Sequence, residues 1–136
     1  MKKLHPTIMF NGHCKAALEF YKTCLDGDII FLKTYDEAPF DIPDEYKEGV
    51  YNSGFQAGDI YFEATDSFPP YEVTTGSNFA MFIRLSGNDS AETLFTNLAA
   101  DGHISFPLAD APNGGGKFGM CTDKFGIQWM VSWDPV

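Results

Sequence analysis

Residues 11–31, NGHCKAALEFYKTCLDGDIIF, are answered 75 positions later by residues 86–106, SGNDSAETLFTNLAADGHISF. Gly12 falls on Gly87, Ala16 on Ala91, Phe20 on Phe95, Asp26-Gly27 on Asp101-Gly102, and Phe31 on Phe106. No single match carries weight, but their common register points to an internal duplication. In the first copy Cys14, Ala17, Leu18, Tyr21 and Leu25 recur on one helical face, with Gly27 placed as a left-handed C-terminal cap. In the second, Ala91, Leu94, Phe95, Leu98 and Ala99 form the stripe. Asp89 stands as N-cap there, and Glu92 completes a capping box.

Outward from the helices, strands are expected over 4–10, 28–35, 50–56 and 60–66, and again over 78–85, 103–107, 117–122 and 127–133. The order strand, helix, strand, strand, strand therefore occurs twice. Residues 68–77 hold Pro69-Pro70 and Gly76 and read as the linker, giving halves of about 1–67 and 78–136 within one domain. Residues 36–49 carry two prolines and six acids and form a long loop with one helical turn at 43–47. Asn113-Gly114-Gly115-Gly116 is a turn. It lacks the Gly and the Ser or Thr that a phosphate loop needs around Lys117, since Ala111 and Phe118 stand there.

With 136 residues, 44% apolar and 15% aromatic, the chain supports one core, while either half alone is too small to do so. The net charge of −10 argues against nucleic acid and anionic membranes as partners. Neither a signal peptide nor a membrane span is expected, because the apolar run at 8–10 stops at Asn11-Gly12. Cys14 and Cys24 lie ten residues apart on one helix, about 15 Å and beyond disulfide reach. The three cysteines read as reduced thiols of a cytoplasmic protein. His13, at the start of the first helix, and His103, at the start of a strand, read as surface residues.

Phe10-Asn11-Gly12 with Ala17-x-x-Phe20-Tyr21, then Glu37-Ala38-Pro39 through Pro43-x-Glu45-Tyr46-Lys47-x-x-Val50, and 123–130, DKFGIQWM, resemble the PhnB-like branch of the vicinal oxygen chelate superfamily. That superfamily includes glyoxalase I, bleomycin-resistance proteins and extradiol dioxygenases. The resemblance covers essentially the whole chain. It implies an α+β fold of two βαβββ modules whose curled mixed sheets surround a central cavity, and a homodimer. Some PhnB-like proteins carry a methyltransferase label, but this short chain has no strand–Gly-rich loop–helix cofactor fingerprint.

The resemblance also implies where a divalent metal would sit, on the cavity faces of the first and last strand of each module. His5 lies near the first ligand position and Glu63 on the carboxylate position. The second-module equivalents are Ala80, with Asn78 two residues earlier, and Met130, with Gln128 on the same face. His5 and Glu63 alone make an incomplete site. Arg84 shares a face with Asn78 and Ala80; it either pairs with Glu63 or orients a polar or anionic ligand.

Tyr61, Phe82 and Met130, with Phe118, Met120 and Trp129, either line an apolar cavity or fill an ordinary core. The loop at 36–49 is expected as a lid with Phe40 and Tyr46 as plugs, or else as a solvated connection or dimer contact. The expected function is therefore binding of a small, partly apolar molecule without a complete metal site or other cofactor. The site residues would be Tyr61, Glu63, Asn78, Phe82, Arg84, Gln128 and Met130. The alternative is a metal-dependent lyase, isomerase or dioxygenase using His5 and Glu63. A partner-binding role of the acidic surface is the third.

Overall fold

A computed structural model describes every residue except Asn113 and Val136. The chain divides into two compact units, Met1–Thr74 and Thr75–Val136. The first contains β1 (Thr7–Phe10), α1 (Cys14–Leu25), β2 (Asp28–Thr34), β3 (Val50–Ala57) and β4 (Ile60–Asp66). Its sheet runs β1-β4-β3-β2, with β1 parallel to β4 and the other pairs antiparallel. The second contains β5 (Met81–Ser86), α2 (Ala91–Ala99), β6 (His103–Asp110), β7 (Lys117–Thr122) and β8 (Gln128–Asp134). Its order β5-β8-β7-β6 repeats the first, with β5 parallel to β8. Neither sheet closes on itself, and each carries one helix, as an α+β fold of paired βαβββ units requires.

Each helix is amphipathic and covers one face of its sheet. Cys14, Ala17, Leu18, Tyr21, Cys24 and Leu25 are the buried positions of α1. Tyr21 meets the ring of Phe62 edge-on at 5.8 Å, and Phe62 stacks on Phe55 at 4.9 Å. In the second unit Ala91, Phe95 and Leu98 of α2 are buried, together with Ile83, Cys121, Trp129 and Val131 of the sheet. Complete burial of such side chains contributes about 1.5–3 kcal/mol each. Because strand side chains alternate, Phe62, Ala64 and Asp66 face the helix, while Tyr61, Glu63 and Thr65 occupy the opposite, open face.

The duplication at a spacing of 75 is physical. Asp26 and Asp101 both adopt left-handed φ values, 52° and 59°, at the ends of their helices. β2 and β6 are both irregular at matching places, between Ile29 and Phe31 and between Ile104 and Phe106. Two expected caps are displaced. Asp26, not Gly27, takes the left-handed position. Gly27 is required for contact instead, since a Cβ there would lie 2.6 Å from the Phe55 ring and 2.7 Å from the Gln56 carbonyl oxygen. At α2 the N-cap is Ser90, whose side chain accepts from the Thr93 N–H, while Asp89 accepts from the Ser86 N–H. Serine reaches the first turn from the residue directly before it, leaving Asp89 to close the preceding turn.

The N-terminus of α1 has no side-chain cap of its own, as His13 makes none. The cap comes from the end of β4. Asp66 is 4% exposed, and its Oδ1 accepts from the N–H groups of Gly12 (2.9 Å) and Cys14 (3.0 Å). Its Oδ2 accepts from Val50 N–H at 2.9 Å. The thiol of Cys14 sits beside this carboxylate. Burial pushes its pKa from 9.0 up to about 12; the Asp66 charge adds to the rise and a hydrogen bond with Ser53 opposes it. All three cysteines are buried thiols.

Four substitutions test these contacts, all read by urea unfolding. Gly27→Ala should destabilise by about 1–3 kcal/mol through overpacking, whereas Asp26→Gly should be neutral or stabilise by up to about 1 kcal/mol by relieving the left-handed backbone. Asp66→Asn should cost about 2–3 kcal/mol, because an amide N–H₂ would then face at least one of three backbone donors. The Cys14 thiol holds its proton more tightly when folded. Its contribution is thus complete below the unfolded value near 9.0 and is lost as pH rises toward about 12. Stability should fall across that window, and Cys14→Ala should flatten part of the fall.

Candidate functional site

On the open face of the first unit, three expected residues come together. Pro6 lends its carbonyl oxygen to the Glu63 N–H at 3.0 Å, which brings the segment before β1 alongside β4. The Tyr61 hydroxyl donates to Glu63 Oε2 at 2.5 Å, and His5 Nε2 lies 3.2 Å from Oε1. The His5 ring also meets Tyr61 edge-on at 5.3 Å. Donation to Glu63 raises the Tyr61 pKa, desolvation adds to the rise, and the carboxylate charge contributes the rest. Both carboxylate oxygens of Glu63 are thus engaged by neighbours within its own unit.

A divalent metal would need more than this. Two protein donors already bonded to each other leave most of a coordination shell unfilled. Among the described residues no three His, Cys, Asp or Glu side chains come together in a way that would hold an ion. The donor set at His5 and Glu63 therefore does not fit a tightly held metal.

Cross-strand register identifies the counterpart of Glu63. Glu63 stands opposite Thr7 of β1, and 75 positions beyond Thr7, Phe82 stands opposite Met130. Met130 also faces Met120 across the β7–β8 pair, and Phe106 faces Met120 in turn. The row that holds a carboxylate in one unit is thus wholly apolar in the other. Phe82 is 42% exposed and Phe106 60% exposed, so this row is an open apolar surface. The rings of Phe82 and Phe118 lie 6.1 Å apart on it, and the Arg84 guanidinium lies over Phe82, 4.4 Å from the centroid.

One expectation for this unit needs correction, the start of β5, and Trp129 takes the core alternative. Asn78 is exposed and precedes β5, which starts at Met81 rather than at 78. The Gln128 side-chain N–H donates to the carbonyl of Phe79 at 2.7 Å, which ties the segment before β5 to the start of β8. Trp129 is not on the open face. It is 1% exposed on the helix side, and its indole N–H donates to Asp123 at 2.8 Å. Asp123 also accepts from the N–H groups of Phe125 and Ile127, so 123–130 is a folding device for the β7–β8 turn.

The acidic loop packs against its own unit. It contains two 3-10 turns, Tyr35–Glu37 and Asp44–Tyr46. Tyr46 stacks on Phe68 at 4.9 Å, and Phe40 meets Tyr51 edge-on at 5.8 Å. Tyr35 donates to the Asp66 carbonyl at 2.6 Å. Under this loop a cavity of about 230 Å³ is lined by residues that include Lys15, Tyr35, Glu45, Tyr46, Asp66 and Phe68. Sequence reading missed Asp66 and Phe68 here. The available signal was an α1 without a cap of its own, which demands one from elsewhere. At the other glycine-rich turn, Gly116 accepts from Ala111 N–H at 2.8 Å, and Asn113 lies outside the described residues.

The model of one protein family, 3-demethylubiquinone-9 3-methyltransferase, matches residues 2–132. Protein PA1353 of Pseudomonas aeruginosa shares 26% identity and superimposes with a TM-score of 0.86, covering 100% of both chains. A putative 3-demethylubiquinone-9 3-methyltransferase, the PhnB protein of Bacillus cereus, is also 26% identical, with a TM-score of 0.75 over 97% of this chain and 99% of its own. The fosfomycin resistance protein FosX of Listeria monocytogenes, at 9% identity, shares the fold alone, with a TM-score of 0.65 over 100% of this chain and 95% of its own. The chain belongs to the 3-demethylubiquinone-9 3-methyltransferase family, the PhnB-like branch of the vicinal oxygen chelate superfamily.

Proposed function

We propose that this PhnB-like protein binds a small, partly apolar molecule on the open sheet face of its second unit and works without a complete metal site. The observation that carries the reading is the pair of equivalent positions Glu63 and Met130. One carboxylate is engaged by Tyr61 and His5, and its counterpart is a thioether in an exposed apolar row. Thioether and phenyl groups favour a soft apolar surface over a hard cation. The open row of the second unit offers the apolar surface, and Arg84 at its edge offers a polar group that orients a ligand.

Methyl transfer, named in the family's description, calls for a seat for the methyl donor. No strand–Gly-rich loop–helix unit is present in the sequence to form one, and this favours binding over transfer. We extend the reading to a cytoplasmic homodimer, in keeping with three buried thiols and a fold that commonly pairs. The His5–Glu63 contact favours one rival, a metal-dependent lyase, isomerase or dioxygenase.

Elemental analysis of protein purified without chelator separates the two. Less than about one-tenth equivalent of transition metal is expected, with no thermal stabilisation on adding manganese, iron, nickel or zinc. Small aromatic compounds should stabilise the same preparation. A full equivalent of metal, lost in both His5→Ala and Glu63→Gln, would overturn the proposal and establish the metal-dependent rival.

A further inference from the structure

Arg84 is the chain's only arginine. It is exposed on the open face of β5, and among the described residues no carboxylate lies within ion-pair distance of it. Its guanidinium carbon lies over the Phe82 ring, 4.4 Å from the centroid, which sets the cation against an apolar surface. Directly opposite Arg84, across the β5–β8 pair, stands Ser132. The Oγ of Ser132 is buried and has no hydrogen-bond partner among the described residues.

The sister unit shows what this position does when it serves structure alone. By the same register Met9 stands where Arg84 does, opposite Thr65. The Thr65 hydroxyl donates to the Tyr51 carbonyl at 2.9 Å and to the Val50 carbonyl at 3.2 Å. In the second unit the hydroxyl is left unbonded, and the neighbouring methionine is replaced by an unpaired cation. A buried hydroxyl without a partner is destabilising and calls for an explanation.

We propose that Arg84 and Ser132 form an oxyanion seat, and that the molecule bound by this protein is a small aryl or alkyl carboxylate. The planar guanidinium matches a carboxylate with two parallel N–H donors, and rotation of the Ser132 side chain about χ1 turns its buried hydroxyl to the ligand as a third. Phe82, Phe118 and Met130 surround the pair and receive the apolar part. This deepens the small-molecule reading above and rests on it.

The test compares phenylacetate with its neutral isostere phenylacetamide by titration into the full chain. Because there is one arginine, the side-chain Nε–H region of the NMR spectrum holds one arginine signal that reports the contact directly. Phenylacetate should bind about tenfold more tightly than the amide and shift that signal, and added salt should weaken the acid alone. Arg84→Gln should bring the acid to within about twofold of the amide while leaving amide affinity unchanged, and Arg84→Lys should fall between. Ser132→Ala should weaken the acid about threefold and the amide little. Unchanged amide binding in each variant shows that it is folded. Equal binding of acid and amide to the wild type would overturn the oxyanion seat and leave the small-molecule reading standing. Failure of both compounds at millimolar concentration, together with every other aromatic compound tried, would sink both.

Discussion

The first unit depends on where Asp66 puts its two oxygens. A carboxylate at the end of β4 holds the turn before α1, the first residue of that helix and the first residue of β3. Each bond satisfies a donor that would otherwise be buried without a partner. The helix gains a negative charge at its positive end, and the strand after the long acidic loop gains a fixed starting point. The loop can therefore be long and acidic without loosening the sheet. Its return is pinned by Asp66 on one side and by the bonds Tyr35 N–H to Gly49 C=O and Asp36 N–H to Lys47 C=O on the other.

The second unit reaches the same geometry by different chemistry. Register makes Trp133 the counterpart of Asp66, since Phe10 faces Asp66 and Leu85 faces Trp133. Asp66 accepts from the N–H of Gly12, and Trp133 donates to the carbonyl of Gly87, the matching glycine. Both glycines have positive φ, 94° and 61°, so the strand-to-helix turn is preserved while the tie to it is inverted. The helix cap then has to come from within, and Ser90 supplies it. Asp123 takes over as the buried carboxylate, bound to two backbone N–H groups and the Trp129 indole.

These substitutions explain what could be read from the sequence. Element order, the helical faces and the strand limits of β4 and β7 follow from local periodicity, which every residue in the element reports. The duplication was legible because Gly12 and Gly87 answer to backbone geometry, which both copies share. Caps and strand ends were not, because the choice between Asp89 and Ser90, or Asp26 and Gly27, is settled by contacts with distant segments. Gly27 is kept small by Phe55, 28 positions away, and nothing near Gly27 in the sequence announces it. The short β5 is of the same kind. Gln128 answers Phe79 with a side chain, a choice invisible from 78–80 alone. At the candidate site, Glu63 and Met130 could be placed by family pattern, but that Glu63 is engaged by Tyr61 emerges only when alternation puts both on one face.

The divergence of the open faces bears on charge as well as on shape. The protein carries a net charge of −10, and its field disfavours anions at long range. An anion can then be held only where acids are kept away and a cation is provided locally. The strands β5, β7 and β8 contain a single acid, Asp134, at the last position of β8. On the face formed by Phe82, Arg84, Met120, Met130 and Ser132 the guanidinium is thus neither neutralised by a strand neighbour nor fully hydrated, since one of its faces lies on Phe82. Duplication supplied two faces of the same geometry. The first became polar around Glu63, and the second became apolar around Met130 with one cation at its edge. A ligand suited to the second face must be amphiphilic, because a purely apolar one would strand the Arg84–Ser132 pair and a purely ionic one would gain nothing from the phenylalanines.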